Sequence, residues 1–212
     1  MLNKPLKILL TGKSGLLASY IKLEADRPTR EELDITKPIP EKYTKTKYDL
    51  IVHLAAYTNV EQAEQNKSEA FLTNCFGTLN LLVNFPDTPF VYMSSEYAYK
   101  PVNFYSTTKN FAEQIVSSHR NYLIIRTLFK AKPWLSKKAF VDKFTMGDYV
   151  DVIAPLVEKS ILDWYEAGYK NSLIYVGTGR KTYYDLARST KPDVIPNSID
   201  DVKTVKIPKD YI

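Results

Sequence analysis

The chain has 212 residues, enough to bury a sizeable core in one domain or in two small ones. Its net charge of +5 comes from 29 Lys and Arg against 24 Asp and Glu. These charges are spread along the chain rather than gathered in a basic block, which argues against a nucleic-acid surface and suits an anionic small-molecule substrate. No apolar run approaches the roughly 18 residues of a membrane span, and the amino terminus lacks the apolar centre of a signal peptide, so the expected compartment is the cytoplasm. Cys75, the only cysteine, excludes a disulfide within the chain and reads as a small core residue of a buried helix.

In chain order, a strand near 6–11 is predicted from the run Leu6-Lys7-Ile8-Leu9-Leu10. Thr11-Gly12-Lys13-Ser14-Gly15-Leu16-Leu17-Ala18 then reads as a tight turn running into a helix near 15–23. Free backbone N–H groups and a helix amino terminus in that arrangement make a site for a pyrophosphate. Gly12-Lys13-Ser14 imitates the end of a Walker A loop, but the glycine that such a loop needs five residues earlier is Lys7. Ala18 takes the place of the third glycine of the dinucleotide fingerprint, and a residue that small still allows a helix to lie close to a strand.

Residues 20–48 are hard to read, although a dinucleotide fold would place its second strand there. An acid at the end of that strand binds ribose hydroxyls and an arginine accepts a 2′-phosphate. Asp26 is a candidate for the first role, Arg27 and Arg30 for the second. Strands follow near 49–55, 89–94, 121–126 and 173–176, and helices near 67–84, 103–118, 149–168 and 182–189. Asn66 and Thr182 read as capping residues. Alternation of short apolar strands with amphipathic helices predicts an α/β fold, a doubly wound parallel sheet covered on both faces. After Arg126 the pattern loosens around Pro133 and Lys137-Lys138. The expected division is a core over 1–130, with late core elements and a small substrate lobe over 131–212.

Two segments carry chemistry. Tyr105 and Lys109 are four residues apart on a predicted helix and share a face, so an ammonium can stand beside a phenol and lower its pKa from about 10. Ser95, at the carboxyl end of the strand Val91-Tyr92-Met93-Ser94-Ser95, could hold a carbonyl oxygen for that phenol. No metal site is expected.

Taken in order, Thr11-Gly12-x-x-Gly15-x-x-Ala18, Leu33-Asp34-Ile35-Thr36, His53-Leu54-Ala55-Ala56-Tyr57-Thr58, Ser94-Ser95-Glu96-Tyr97, Tyr105-x-x-x-Lys109 and Arg126-Thr127 resemble the extended short-chain dehydrogenase/reductases, closest to the dTDP-4-dehydrorhamnose reductase family. The stretch from Ala55 to Glu64, followed by Ala70-Phe71-x-x-Asn74-x-x-Gly77-Thr78, is its most specific part. The resemblance implies a Rossmann-type fold and an NAD(P)H-dependent reductase of a 4-keto-6-deoxy nucleotide sugar. Ser95, Tyr105 and Lys109 would be catalytic. Gly12, Lys13, Ser14, Gly15, Leu16 and Leu17 would hold the cofactor, together with Arg30, Asp34, Ile35, Leu54, Ala55, Ala56, Tyr105 and Lys109. Aligning the family's Arg-x-x-Leu-Asp-Ile-Thr pattern on Arg30 favours NADPH over NADH. Tyr57, Ser95, Asn103 and Phe129 would face the sugar.

Related activities are weighed by the same resemblance. Dehydratases carry an Asp-Glu pair after the catalytic hydroxyl, and Glu96-Tyr97 stands there instead. An epimerase is compatible with the motifs. The chain is shorter than these relatives, in the first helix-strand region and in the carboxy-terminal lobe. That shortening raises a second class, a nucleotide-binding regulatory or scaffold subunit without turnover. The superfamily's usual homodimer surface would fall on helices 67–84 and 103–118.

Overall fold

The computed structural model describes residues 5–210. Its centre is a parallel sheet of β1 (Ile8–Thr11), β2 (Leu50–His53), β3 (Phe90–Met93), β4 (Tyr122–Arg126) and β9 (Ser172–Tyr175), in the order β1-β2-β3-β4-β9. Each of the five lies within a few residues of its predicted position. The first four are almost wholly buried, as expected of strands whose two faces are both covered.

Side chains alternate across the strands. Ile8, Leu10, Leu50, Val52, Val91 and Met93 face a core shared with α1 (Leu16–Tyr20) and α7 (Val150–Glu166). Leu9, Ile51, Phe90, Tyr92 and Ile124 face the opposite core, built with α5 (Gly77–Asn84), α6 (Phe104–Ser117) and Tyr43 of α2 (Glu41–Thr44). The predicted helix over 67–84 is composite. α3 (Val60–Gln65) precedes it, and α4 (Lys67–Phe71) passes through a π-helical turn at Leu72–Phe76 into α5.

The elements after β4 divide between two places. α7 and β9 complete the main sheet, whereas β5 (Phe129–Lys130), β6 (Lys138–Phe140), β7 (Phe144–Thr145), β8 (Asp148–Tyr149), β10 (Lys181–Thr182), α8 (Tyr183–Arg188) and β11 (Ile195–Asn197) surround a third core. Leu128, Trp134, Tyr149, Tyr183 and Leu186 are its larger members.

Three expectations need correction. The second strand is reduced to one bridge, Asp26 against Leu9, with Leu10 donating to the Asp26 carbonyl at 2.9 Å and Asp26 donating to the Ile8 carbonyl at 2.8 Å. The next donor in that ladder would be residue 28, which is Pro28 and has no N–H, so pairing stops. The first helix ends at Tyr20 rather than near 23, because the Arg27 guanidinium takes the carbonyls of Ala18, Ile21 and Leu23 at 2.7–2.9 Å. Asn66 makes no side-chain cap. It joins α3 to α4 and donates instead to the Tyr57 hydroxyl at 3.3 Å. Thr182 does cap α8, in a reciprocal pair with Asp185.

Candidate active site

A cavity of about 920 Å³ opens past the carboxyl ends of β1, β2 and β3. It lies where the chain leaves β1 for the Asp26 bridge on one side and returns as β2 on the other, the switch point at which open α/β sheets bind ligands. Gly12, Lys13, Ser14, Gly15, Leu16 and Leu17 line one end. Gly12 has φ +82°, and a Cβ there would stand 2.6 Å from the Ala55 nitrogen, so only glycine fits. Gly15 N–H closes the turn on the Gly12 carbonyl at 2.9 Å.

A buried chain of hydrogen bonds sets the distance between this turn and its neighbours. Thr11 Oγ1 lies 2.7 Å from His53 Nδ1, and His53 Nε2 lies 3.1 Å from Thr78 Oγ1. Burial, with the Lys109 charge second, pushes the His53 pKa down to about 3, so the ring stays neutral. Ala55 N–H donates to Thr11 Oγ1 at 3.3 Å, which brings Leu54, Ala55 and Ala56 into the cavity wall.

Arg30, Asp34 and Ile35 line the cavity too. Arg30 is exposed, with its Nε 3.8 Å from Asp34. Asp34 Oδ1 accepts from the backbone and hydroxyl of Thr36 at 3.0 and 2.7 Å, which fixes the loop. The other two candidates from this region have different work. The Asp26 carboxylate accepts from Tyr48 at 2.9 Å, and Arg27 is committed to carbonyls, so neither faces the cavity.

Ser95, Tyr105 and Lys109 meet in the same cavity. Asn103 caps α6 by accepting from Ser106 N at 2.8 Å, and this starts the helix that carries Tyr105 and Lys109 on one face. Burial raises the Tyr105 pKa, and a hydrogen bond with Ser95 partly lowers it. Lys109 is bonded to the strand rather than to the phenol. Its ammonium donates to the Met93 carbonyl at 2.7 Å and lies 4.2 Å from the Tyr92 ring centre. Burial lowers its own pKa to about 7, opposed by Glu113. The phenol is therefore governed by its buried setting and by Ser95, and it remains a protonated donor through the neutral range.

Phe129 lines the cavity as expected, but Tyr57 and Asn103 do not. Tyr57 packs against the third core instead, its hydroxyl accepting from Asn66 and its backbone held by buried Asn74, whose side chain accepts from Tyr57 N at 2.7 Å and donates to Tyr57 O and Thr108 Oγ1. The Nδ2 of the same Asn103 side chain donates to the Lys206 carbonyl at 2.9 Å.

The contacts of several site residues escaped the sequence reading. Glu113, one turn beyond Lys109, binds Arg126 at 2.6 and 2.9 Å and accepts from Ser94. Its spacing from Lys109 was the available signal. Glu96 accepts from Thr145 Oγ1 and Met146 N at 2.7 and 2.9 Å, tying the end of β3 to the third core. Tyr97 and Lys130 line the cavity; Tyr97 belongs to the Ser94-Ser95-Glu96-Tyr97 segment, whereas no motif marks Lys130.

A parallel doubly wound sheet, a glycine turn at its switch point and a Ser-Tyr-Lys trio beside that turn define a Rossmann-type protein built as a short-chain dehydrogenase/reductase. The family model described as RmlD substrate binding domain matches residues 6–154, and the chain belongs to that family. The GDP-6-deoxy-D-talose 4-dehydrogenase of Aggregatibacter actinomycetemcomitans is 34% identical over 145 residues, covering 54% of this chain and 49% of that protein. The dTDP-4-dehydrorhamnose reductase of Sinorhizobium fredii is 28% identical over 148 residues, covering 58% of this chain and 50% of that protein. The match thus spans about half the length of these two curated relatives. Among solved structures, a dTDP-4-dehydrorhamnose reductase from Bacillus anthracis in complex with NADP superposes with a TM-score of 0.82 at 21% identity, over 100% of this chain and 90% of that one. At that identity the superposition establishes the shared fold.

Proposed function

We propose that the chain is an NADPH-dependent reductase of the keto group of a 4-keto-6-deoxy nucleotide sugar, of the dTDP-4-dehydrorhamnose reductase type. The observation that carries this reading is the meeting of Ser95, Tyr105 and Lys109 in the cavity that begins at the Gly12 turn. Bound NADPH would supply the hydride. The backbone from Gly12 to Leu17 fits its pyrophosphate, because the turn presents N–H groups with no side chain between them and Ala55. Arg30 would meet the 2′-phosphate, with Asp34 and Ile35 at the adenine, Leu54, Ala55 and Ala56 along the wall, and Lys109 at the ribose. NADH fits the same cavity without the Arg30 contact.

In the chemical step Tyr105 gives its proton to the ketone oxygen as charge develops there. Ser95 holds that oxygen through its hydroxyl. Phe129 packs on the sugar face. The intact trio favours an enzyme over a regulatory or scaffold subunit, and Glu96 is already engaged structurally rather than free for elimination chemistry. Residues 1–130 would carry the dinucleotide, and 131–212 would add α7, β9 and the substrate lobe.

A homodimer is part of the same reading. Phe71, Leu72, Phe76, Leu79 and Phe111 are exposed on α4, the π-helical turn, α5 and α6, a surface that an identical face of a second copy would cover. No helix among the described residues is long and apolar enough to cross a membrane, and a cytoplasmic location is proposed.

The test is to incubate the protein with NADPH and a panel of 4-keto-6-deoxy sugars carrying dTDP, GDP or UDP, following absorbance of the reduced nicotinamide. Oxidation that depends on one of the sugars is the expected result. No oxidation with any of them, despite NADPH binding, would turn the assignment to the non-catalytic subunit.

A further inference from the structure

His53 ends β2 and is buried, yet it does not line the cavity. Its ring packs against Phe90 and Tyr92, with ring centres 5.8 and 5.7 Å away, so both nitrogens must find partners inside the protein. Each faces one hydroxyl, Thr11 at Nδ1 and Thr78 at Nε2.

Which nitrogen carries the proton follows from what those hydroxyls already do. A hydroxyl has one proton to give. Thr78 gives its own to the Asn74 carbonyl at 2.7 Å, one helical turn back, so toward His53 it can only accept. Nε2 is therefore the N–H. Burial and the Lys109 charge keep the ring neutral, which leaves Nδ1 to accept from the Thr11 hydroxyl. Thr11 Oγ1 in turn accepts from Ala55 N–H. Every bond from Ala55 to Asn74 thus points the same way. The other tautomer would set two lone pairs against each other at Thr78 unless Thr78 released the Asn74 carbonyl.

The network continues beyond Asn74, which sits in the π-helical turn. Its side chain donates to Thr108 Oγ1 at 2.9 Å, and that hydroxyl donates to the Tyr105 carbonyl at 2.7 Å. Thr11, His53, Thr78, Asn74, Thr108 and Tyr105 are all buried. At one end Thr11 adjoins Gly12 in the cavity wall, and at the other stands the helix turn that carries the Tyr105 phenol. Buried polar networks whose members are all satisfied are rigid.

We propose that His53, as the Nε2–H tautomer, is a positioning residue that fixes the Gly12 turn and Ala55 against the helix bearing Tyr105. It touches neither cofactor nor substrate and acts through Thr11 and Thr78. The effect on cofactor binding rests on the dinucleotide reading above, whereas the tautomer rests on the hydrogen bonds alone.

The test begins with nitrogen NMR of histidine-labelled protein at pH 7. The chain has two histidines, His53 and His119, and His119→Gln assigns the two rings. Wild type should carry the His53 proton on Nε2. A proton on Nδ1, or on both nitrogens, overturns the proposal, and this measurement needs no change to the network. Thr78 lies outside the cavity, so Thr78→Val breaks the network without removing a cavity side chain. It should mix the two tautomers, shift the Gly12 and Ala55 amide resonances and weaken NADPH about 10-fold in calorimetric titration. Thr78→Ser keeps the hydroxyl and should stay near wild type in all three. Unchanged amide resonances in Thr78→Val overturn the proposal, as does an equal loss in Thr78→Ser. A wild type that binds neither NADPH nor NADH fails the dinucleotide reading, and the tautomer and the two amide resonances then decide the positioning role by themselves.

Discussion

The Lys109 ammonium is fastened to the Met93 carbonyl at 2.7 Å, one residue before Ser94, which donates to Glu113 of the same helix as Lys109. Two side chains of α6, one turn apart, thus grip consecutive residues at the end of β3. That grip fixes the height of Tyr105 and Ser95 relative to each other.

Replacing Lys109 removes a buried ammonium together with its single described hydrogen bond. Lys109→Met should therefore change the melting temperature by less than about 4 °C, since a buried charge exchanged for an apolar group of similar volume is often neutral. Its NADPH affinity should fall about 10-fold, measured by fluorescence titration, if the ammonium meets the ribose.

Tyr105→Phe removes the proton donor and leaves the cavity shape. Turnover is expected to drop by roughly 100-fold or more, with NADPH affinity nearly unchanged. Because burial raises the phenol pKa, wild-type reduction should persist across the neutral range and decline only in alkali. A steady-state pH profile checks this, and a decline near neutrality would assign the donor elsewhere.

At Gly12 the added methyl of Ala meets both a positive φ of +82° and the Ala55 backbone nitrogen at 2.6 Å. The left-handed conformation alone costs about 1–2 kcal/mol, and the collision adds about 1–3 more. Gly12→Ala should thus lower unfolding stability in urea as well as dinucleotide binding. A substitution that abolished binding at unchanged stability would contradict this contact.

Arg30 is exposed and makes only a 3.8 Å pair with Asp34, so its removal should leave stability unaltered. Arg30→Ala is expected to weaken NADPH by about 10-fold and NADH much less. Equal losses for both cofactors in parallel titrations would take the 2′-phosphate away from this residue.

His53 supplies an acid-sensitive element. Its folded pKa of about 3 lies below the ordinary value of 6.5, so between those values the unfolded chain binds more protons than the folded one. Stability from this group is complete above pH 6.5 and is lost as pH falls toward 3. Between pH 6.5 and 5 the loss is about 2 kcal/mol, from 1.36 kcal/mol per pH unit. Urea unfolding at pH 7 and pH 5 should show that slope in wild type and a smaller one in His53→Gln.

The alternation of short apolar strands and amphipathic helices was sufficient to place the five sheet strands and the glycine turn. Those signals are local: β-strand burial, a 3.6-residue period and a glycine where the backbone must bend. The trio of Ser95, Tyr105 and Lys109 was legible for the same reason, since two of its members share one helix face and the third ends a strand. The direction of the Lys109 ammonium was not legible. It depends on β3 presenting the Met93 carbonyl to α6, a contact across 16 residues that helical spacing does not encode. Asp26 and Arg27 looked like cofactor residues in the sequence, and only the packed chain assigned them to Tyr48 and to the end of α1. Asn103 and Tyr57 were lost to the cavity by similar tertiary claims, from the cap of α6 and from Asn74. The pairing of Lys130 with Lys143 around Tyr183 joins three segments far apart in the chain. Such a grouping is decided by how the third core closes against the sheet, because burial is a property of the assembled wall rather than of any one stretch of sequence.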